Sequence, residues 1–238
     1  MLLLDRFNEY DLRRQTFGVW SDFDEFVSAD KFTDTSSDSG AAVANIDGAG
    51  GLVTLTTGAT DNNEVYLLST KEIFLFADGK PLEGACRLSY TEAATDDANV
   101  AFGFMNAVGA DSILDNGAGL KSSYSGATFH KRDGATVWRV ETSIGTTRTG
   151  ATELTALTSL DKIAKTPGGG SYQWLEISVV PFSSTQARAD FFIDNIHVQS
   201  IIFTYTSATE MNLFVAAKAG DSNSEVITVD YLGGLQKR

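Results

Sequence analysis

The feature that most restricts the fold is a hairpin pattern near the C-terminus. Residues 188–193 form a short run rich in β-branched and aromatic side chains, and residues 196–200 alternate apolar with polar ones. Asp194 and Asn195 stand between them, and both residue types tolerate the left-handed backbone of a tight two-residue turn. The pattern therefore predicts two antiparallel strands that each bury one face.

The chain closes on a second alternating stretch, residues 225–235. A period of two predicts that Val226, Thr228, Asp230 and Leu232 lie on one face and Ile227, Val229 and Tyr231 on the other. We expect this strand to complete the core of an all-β chain.

Turn signals divide the rest of the chain into about a dozen strands, with a turn every 8–12 residues or so. Asp47-Gly48 and Asp133-Gly134 are favoured hairpin turns between apolar runs. We also expect residues 84–93 and 99–106 to pair with each other. Regular alternation with helices is absent, so the sequence indicates a sandwich or barrel of antiparallel sheets.

Charge and hydropathy exclude several classes of function. The formal net charge is −13, and a nucleic-acid interface needs Lys and Arg for its phosphate contacts. No apolar run approaches the roughly 20 residues that span a bilayer, and residues 1–6 lack the features of a signal peptide. The single Cys86 cannot form an intrachain disulfide, and we expect it in the core. We therefore predict a soluble protein made in the cytoplasm, without nucleic-acid or membrane partners.

The N-terminal segment, residues 1–20, differs from the remainder. It holds three acids and three arginines, so the negative charge lies beyond it, and it is rich in Leu, Phe and Trp. Two interpretations are open: a first strand or short helix on its own sandwich, or an arm that docks on another chain. The predicted division is therefore residues 1–20 and a sandwich domain, residues 21–238. The predicted contact residues are Leu4, Arg6, Phe7, Tyr10, Arg13, Arg14, Phe17 and Trp20.

Charge reverses locally in residues 121–170, where seven basic residues face four acids. A basic edge on an acidic body favours a fixed orientation between like molecules. We therefore expect a homodimer or homotrimer. Within this stretch, residues 152–170 have helical or loop character.

Candidate catalytic residues are few. His130 and His197 are the only histidines, and both lie in strand patterns. Asp22 and Asp24 put two carboxylates on one face, but the chain lacks the Glu, Asp and Glu at alternate strand positions that β-sandwich glucanases use. We predict no catalytic residue and no enzymatic activity.

Metal and cofactor signals are weaker still. No CxxC, HExxH or EF-hand spacing occurs, so we predict no cofactor and no metal site. The weak alternative is Ca²⁺ held by Asp96 and Asp97 together with Asp111, Asp115 and Asn116, the last three from a long polar loop over residues 111–119.

Tryptophans offer one further possibility. An exposed Trp138 or Trp174 would stack on a sugar ring, although a Trp in an alternating strand is more often part of the core. Both interpretations are open at this point.

Five segments together resemble one protein family. They are residues 52–64, 74–82, 97–104, 191–198 and 228–231. As a set they resemble head-region proteins of tailed bacteriophages with a concanavalin-A/laminin-G-like jelly roll, from about Phe23 to the C-terminus. Residues 1–20 lie outside the resemblance, and it supplies no catalytic residue.

The resemblance implies a concanavalin-A-like jelly-roll sandwich of two antiparallel sheets with an N-terminal extension. It also implies a structural virion protein, a decoration or cement protein on the capsid exterior whose partner is the major capsid protein. Two alternatives come from other classes: a carbohydrate-binding, lectin-like module on a virion or cell surface, and a glycan-cleaving enzyme.

Overall fold

The computed structural model describes residues 15–36, 38–48, 50–153, 171–206 and 209–238. These ranges contain seventeen strands, listed here in chain order: β1 (Thr16–Ser21), β2 (Phe32–Thr35), β3 (Ala42–Ile46), β4 (Leu52–Thr56), β5 (Glu64–Ser69), β6 (Leu82–Thr91), β7 (Asn99–Met105), β8 (Ile113–Leu114), β9 (Gly119–Leu120), β10 (Gly126–Lys131), β11 (Arg139–Ile144), β12 (Thr147–Glu153), β13 (Gln173–Pro181), β14 (Gln186–Ile193), β15 (Ile196–Thr204), β16 (Asn212–Lys218) and β17 (Val226–Lys237). No helix in the described ranges is long and apolar enough to span a bilayer.

Two large antiparallel sheets make up the fold. The eight-stranded sheet has the order β15-β14-β13-β6-β17-β4-β3, and β1 is its eighth strand because it pairs with β17. The seven-stranded sheet has the order β12-β11-β10-β7-β16-β5-β2. The predicted fold class, an all-β sandwich of two antiparallel sheets, is confirmed.

The core lies between the two sheets and is rich in aromatic side chains. Phe129 of β10 and Phe191 of β14 meet edge to face across the sandwich, with ring centroids 5.2 Å apart. Trp138 is buried against Phe129, and its Nε1–H donates to Gln173 Oε1 at 3.0 Å. Cys86 is also buried here, as predicted. Trp138 therefore belongs to the core.

The hairpin at Asp194 and Asn195 forms as predicted. Both residues have positive φ angles, 51° and 65°, and they join β14 directly to β15. The predicted hairpin at Asp47-Gly48 also forms, with β3 paired to β4. The two strands on either side of Asp133-Gly134, β10 and β11, pair as well.

Two strand predictions are wrong. The strands at residues 84–93 and 99–106 do not pair, because β6 lies in the eight-stranded sheet and β7 in the seven-stranded one. The turn between them therefore crosses from one sheet to the other. The predicted loop over residues 111–119 contains part of a short hairpin, in which Ile113 pairs with Leu120 and Leu114 with Gly119.

A β-bulge changes the predicted faces of β17. The register against β6 shifts between Val229 and Tyr231, so one extra residue, Asp230, interrupts the alternation. Leu232 is consequently buried in the core, and Tyr231 lies partly exposed on the outer face of the sheet. The sequence prediction had put Tyr231 on the same face as Ile227 and Val229, which are buried, and Leu232 on the other face.

A cover segment, residues 106–124, closes the outer face of the seven-stranded sheet. A second apolar cluster forms beneath it, in which Ile113 and Leu120 of the segment join Tyr66, Met105 and Phe214 of the sheet. The outer face of the eight-stranded sheet carries partly exposed aromatic and charged side chains instead. The two sheets therefore present different surfaces.

The region predicted as an N-terminal arm is described only from Gln15 onward. Its described part forms β1, which pairs with residues 232–237 of β17 beyond the stretch that pairs with β4. Leu4, Arg6, Phe7, Tyr10, Arg13 and Arg14 lie outside the described residues, as does most of the predicted helical or loop segment at residues 152–170.

Candidate functional site

The most distinctive exposed feature is an aromatic pair on the outer face of the eight-stranded sheet. Trp174 of β13 and Tyr231 of β17 both lie opposite Arg87 of β6, one on each side of it. Their rings stack with centroids 5.3 Å apart and an interplanar angle of 22°. One strand, β6, separates their backbones, so both side chains lean inward and meet above it.

Charged groups surround this pair. Arg87 forms an ion pair with Asp230, and its guanidinium carbon lies 4.3 Å from the centre of the Tyr172 ring. The indole N–H of Trp174 donates a hydrogen bond to Glu176 Oε1. Trp174, Tyr172 and Tyr231 keep part of their surface exposed.

Trp20 of β1 extends the aromatic patch. It lies opposite Gly233, and a Cβ atom on that glycine would lie 2.3 Å from the Tyr231 hydroxyl and 2.9 Å from Trp20 Cβ. Trp20 therefore stands beside Tyr231, with 52% of its surface exposed. Phe17, the other predicted contact residue within β1, stacks on Phe74 at 6.3 Å.

We call this patch the aromatic surface and define it by seven residues: Trp20, Arg87, Tyr172, Trp174, Glu176, Asp230 and Tyr231. The sequence pointed to Trp174 as a possible sugar-stacking residue and to Trp20 as a contact residue, but for a different partner. It missed Tyr231, because the bulge in β17 leaves no signal in the alternation.

A histidine, a serine and an aspartate meet near the edge of the same sheet. The Ser200 hydroxyl donates to Asp190 Oδ1 at 2.6 Å and lies 2.8 Å from His197 Nε2. A catalytic triad would place the carboxylate on the far nitrogen of the imidazole. Asp190 instead binds the hydroxyl directly and also pairs with Arg188, so this arrangement holds the strands together.

A buried ionic network lies under the cover segment. Lys218 is 1% exposed, and its Nζ lies 3.3 Å from Glu64 Oε2, 2.5 Å from Asp115 Oδ1 and 3.6 Å from Asp111 Oδ1. Tyr66 donates its hydroxyl proton to Glu64 at 2.7 Å. The carboxylates of Asp111 and Asp115 do converge, but on an ammonium group of the protein itself.

The other acidic loop, residues 92–98, is also held by a lysine, which lies at the end of β10. Lys131 Nζ lies 2.5 Å from Glu92 Oε1 and donates to the backbone carbonyls of Asp96 and Ala98, each at 2.8 Å. Within the described ranges, no group of three or more His, Cys, Asp or Glu side chains is arranged to hold a metal ion.

Several cations of the predicted basic edge are committed to their own chain. Lys131 is buried, Lys121 donates to the carbonyls of Asn106 and Ala107, and Arg148 binds the carbonyls of Leu120 and Lys121. These three cations are therefore engaged within their own chain, which weakens the charge-based argument for a homodimer or homotrimer. The oligomer itself stays a prediction.

Glu225, the residue just before β17, makes the stability of the fold depend on pH. Burial raises the pKa of Glu225 to about 7, and the charges of Glu92 and Asp221 add to the rise. The folded state then binds a proton more tightly than the unfolded chain, so this contribution to stability is complete below about pH 4.5 and is lost as the pH rises through 7.

Glu225→Gln should therefore stabilise the fold at alkaline pH. Glutamine stays neutral and can still accept the hydrogen bond from the Ala93 N–H, so we expect a gain of roughly 1–3 kcal/mol at pH 8.5 and almost none at pH 4. Urea unfolding at the two pH values measures the difference. Equal stabilities at pH 8.5 would contradict the assignment.

Two clefts lie outside the seven residues of the aromatic surface. One, of about 230 Å³, opens between the β11–β12 hairpin and β15 and is lined by uncharged groups such as Thr142, Thr149 and Gln186. The other, of about 170 Å³, lies beside Phe23, Asp24 and Lys31. Asp22 and Asp24 are exposed on either side of the buried Phe23.

The fold is shared with solved structures of very different sequence. A protein of unknown function, SO2946 from Shewanella oneidensis MR-1, aligns with a TM-score of 0.58 and 12% identity over 94% of this chain and 87% of that one. The endo-β-1,4-glucuronan lyase of the fungus Trichoderma reesei aligns with a TM-score of 0.56 and 9% identity, over 85% of this chain and 93% of that one. The carbohydrate recognition domain of Emp47p aligns with a TM-score of 0.55 and 9% identity, over 93% of this chain and 96% of that one.

Neither the protein-family models nor the curated proteins yield a match to this sequence. Identities this low show the fold alone. The two antiparallel sheets and these neighbours together establish a concanavalin-A-like jelly-roll fold. The part of the predicted resemblance that concerns fold is therefore confirmed.

Proposed function

We propose that this protein is a carbohydrate-binding module and that the aromatic surface is its binding site. The observation that carries the proposal is the partly exposed stack of Trp174 and Tyr231, flanked by Trp20 and by polar groups. Aromatic faces pack against the C–H groups of a sugar ring, and carboxylates and guanidinium groups bond to its hydroxyls.

The location of the site follows from what covers each sheet. The outer face of the seven-stranded sheet is closed by the cover segment, whose side chains Ile113 and Leu120 are buried against it. A ligand there would have to displace a packed apolar cluster. The outer face of the eight-stranded sheet needs no such displacement, since its aromatic groups are already partly exposed.

Replacing Trp174 by Ala tests the proposal. Loss of the larger partner of the stack should weaken retention on a polysaccharide that binds the parent protein by about fivefold, since a stacking contact contributes on the order of 1 kcal/mol. The measurement is affinity electrophoresis or resin retention across a panel of soluble and insoluble polysaccharides.

Phe182→Ala is a matched control, because Phe182 is an exposed aromatic residue just beyond the end of β13 and outside the aromatic surface. Its loss should leave retention unchanged. The proposal fails if no polysaccharide in the panel retains the parent protein, or if both variants bind as the parent does.

The capsid role expected from the sequence resemblance stays a second prediction. None of the three structures described above is a virion protein by its description, and the resemblance in residues 191–198 and 228–231 also fits a jelly roll of another kind. Virion location, binding to a major capsid protein and homo-oligomer formation belong to this second prediction. Co-sedimentation with purified capsids would test it.

Enzymatic activity is a separate matter from binding. One of the neighbours is a glucuronan lyase, so the fold itself is compatible with glycan cleavage. The same polysaccharide panel answers this point, because cleavage would release new reducing ends in a time-dependent way.

A further inference from the structure

The charges at the aromatic surface are not balanced. Asp230 pairs with Arg87, and Asp190 at the edge of the sheet pairs with Arg188. Glu176 forms no such ion pair: among the described residues its carboxylate accepts a hydrogen bond only from the indole N–H of Trp174. The aromatic pair therefore stands next to an uncompensated negative charge.

Glu176 is also buried to an unusual degree for an unpaired carboxylate. It is only 8% exposed and lies between Phe192 and Ala85 in its cross-strand row. Withdrawing a carboxylate from water without a positive partner is unfavourable, and one hydrogen bond offsets only part of that cost. A ligand that brings a cation to this position would remove the imbalance.

Other groups around the pair add to the negative field. Burial raises the pKa of Tyr231 to about 12, and the negative charge of Asp22 adds to that rise, so Asp22 acts on the same ring. The exposed faces of Trp174 and Tyr231 attract cations as well, through the quadrupole of their rings. Uronic-acid groups would meet repulsion from the same side chains.

We propose, resting on the proposed carbohydrate-binding function, that the aromatic surface selects glycans with free ammonium groups, polymers of non-acetylated hexosamine, over neutral and uronic-acid polymers. In this assignment Glu176 binds the ammonium group, and Trp174 and Tyr231 pack against the sugar ring. Acetylation of the amine would remove the selected group while leaving the sugar backbone unchanged.

The test compares three polymers: chitosan, its N-acetylated counterpart chitin, and polyglucuronate. The parent protein should bind chitosan about tenfold or more tightly than chitin and should not be retained on polyglucuronate, because charge-assisted hydrogen bonds are about twice as strong as neutral ones. Glu176→Gln keeps an acceptor for the Trp174 indole. It should weaken chitosan binding by about tenfold and chitin binding by a clearly smaller factor, since the amide can still hydrogen-bond a neutral sugar.

Glu210→Gln is the matched control, because it changes the net charge by the same amount at an exposed residue just before β16, in the other sheet. It should bind chitosan as the parent does. If both Gln variants lose chitosan binding equally, the interaction is non-specific ion exchange and the inference is wrong. Circular dichroism checks that each variant is folded, and the comparison of chitosan with chitin needs no variant.

The outcomes separate the two proposals. Equal binding to chitosan and chitin, reduced by Trp174→Ala but not by Glu176→Gln, overturns the ammonium inference and keeps the carbohydrate-binding function. Tighter binding to polyglucuronate also overturns the inference. Binding to none of the polymers, or binding that Trp174→Ala does not change, overturns both.

Discussion

Replacing Lys218 by Met should destabilise the protein by about 3–5 kcal/mol, since it leaves a buried carboxylate without its positive partner. Lys218 and Glu64 lie directly opposite each other on β16 and β5, and both are buried. Burial lowers the pKa of Lys218, but its hydrogen bond to Asp115 and the charge of Glu64 outweigh that effect and hold the pKa above its usual value. Methionine would fill a similar volume but would not supply the positive charge that Glu64 requires.

The same substitution should loosen the cover segment. Lys218 Nζ donates to the carbonyl of Ile113 at 2.9 Å and pairs with Asp115, so it holds β5, β16 and the cover segment together at one point. We expect faster amide hydrogen exchange in residues 106–124 of the variant, measured beside its denaturant unfolding curve.

A second substitution controls for the charge. In Glu64→Gln/Lys218→Met the buried carboxylate is gone, and the amide can still accept from Tyr66, so part of the lost stability should return. A single variant that loses less than about 1 kcal/mol would show that the pair is not an important stabilising interaction.

The strands and hairpins were predictable because their determinants are local. Asp194 and Asn195 adopt positive φ angles for the reason that predicts the turn: their short polar side chains tolerate that backbone. The outward face of β13, with Trp174 and Glu176 at alternate positions, also follows from a period of two.

Strand partnership was not predictable in the same way. A turn such as the one between β6 and β7 has the same residue types whether the next strand stays in the sheet or crosses to the other one. The choice depends on which apolar faces meet across the core, and Gly84 illustrates this. A Cβ there would lie 2.7 Å from Phe104 Cζ, a contact between strands of different sheets.

The candidate site depends on the one feature that alternation cannot reveal. Without the bulge at Asp230, Tyr231 would point into the core and Trp174 would have no stacking partner. Bulges occur where a side chain must be re-aimed, and they carry no simple sequence signature. The buried lysines were missed for a related reason, because Lys218 and Lys131 resemble ordinary solvated cations until the covering loops are placed.

Acidification should destabilise the fold through His130. This residue is buried on the outer face of the seven-stranded sheet beneath the cover segment, and its Nδ1 has no hydrogen-bond partner in the described part of the chain. Burial lowers the pKa of His130 to about 3, and the positive charges of Arg139, Arg132 and Arg148 add to the effect. The folded state therefore keeps the imidazole neutral while the unfolded chain takes up a proton.

The sign follows from this difference. Stability from neutral His130 is complete above about pH 6.5, the value of an unfolded histidine, and declines as the pH falls toward 3. His130→Leu removes the titrating group and loses no hydrogen bond at Nδ1. We expect similar stabilities of parent and variant at pH 7.5, but an advantage of about 3 kcal/mol for the variant at pH 4.

The comparison between variants isolates His130 from the other groups that titrate in this range, Glu225 among them, because those contributions are common to both proteins. His197→Leu is the control for removing a histidine, since His197 is the only other histidine and is exposed, and the advantage of about 3 kcal/mol at pH 4 should be absent from it. Parallel curves for the parent and His130→Leu between pH 7.5 and 4 would mean that the folded protein accepts a charged imidazole under the cover. The cover segment would then have to open to water on acidification, and hydrogen exchange in residues 106–124 at pH 4 would show it.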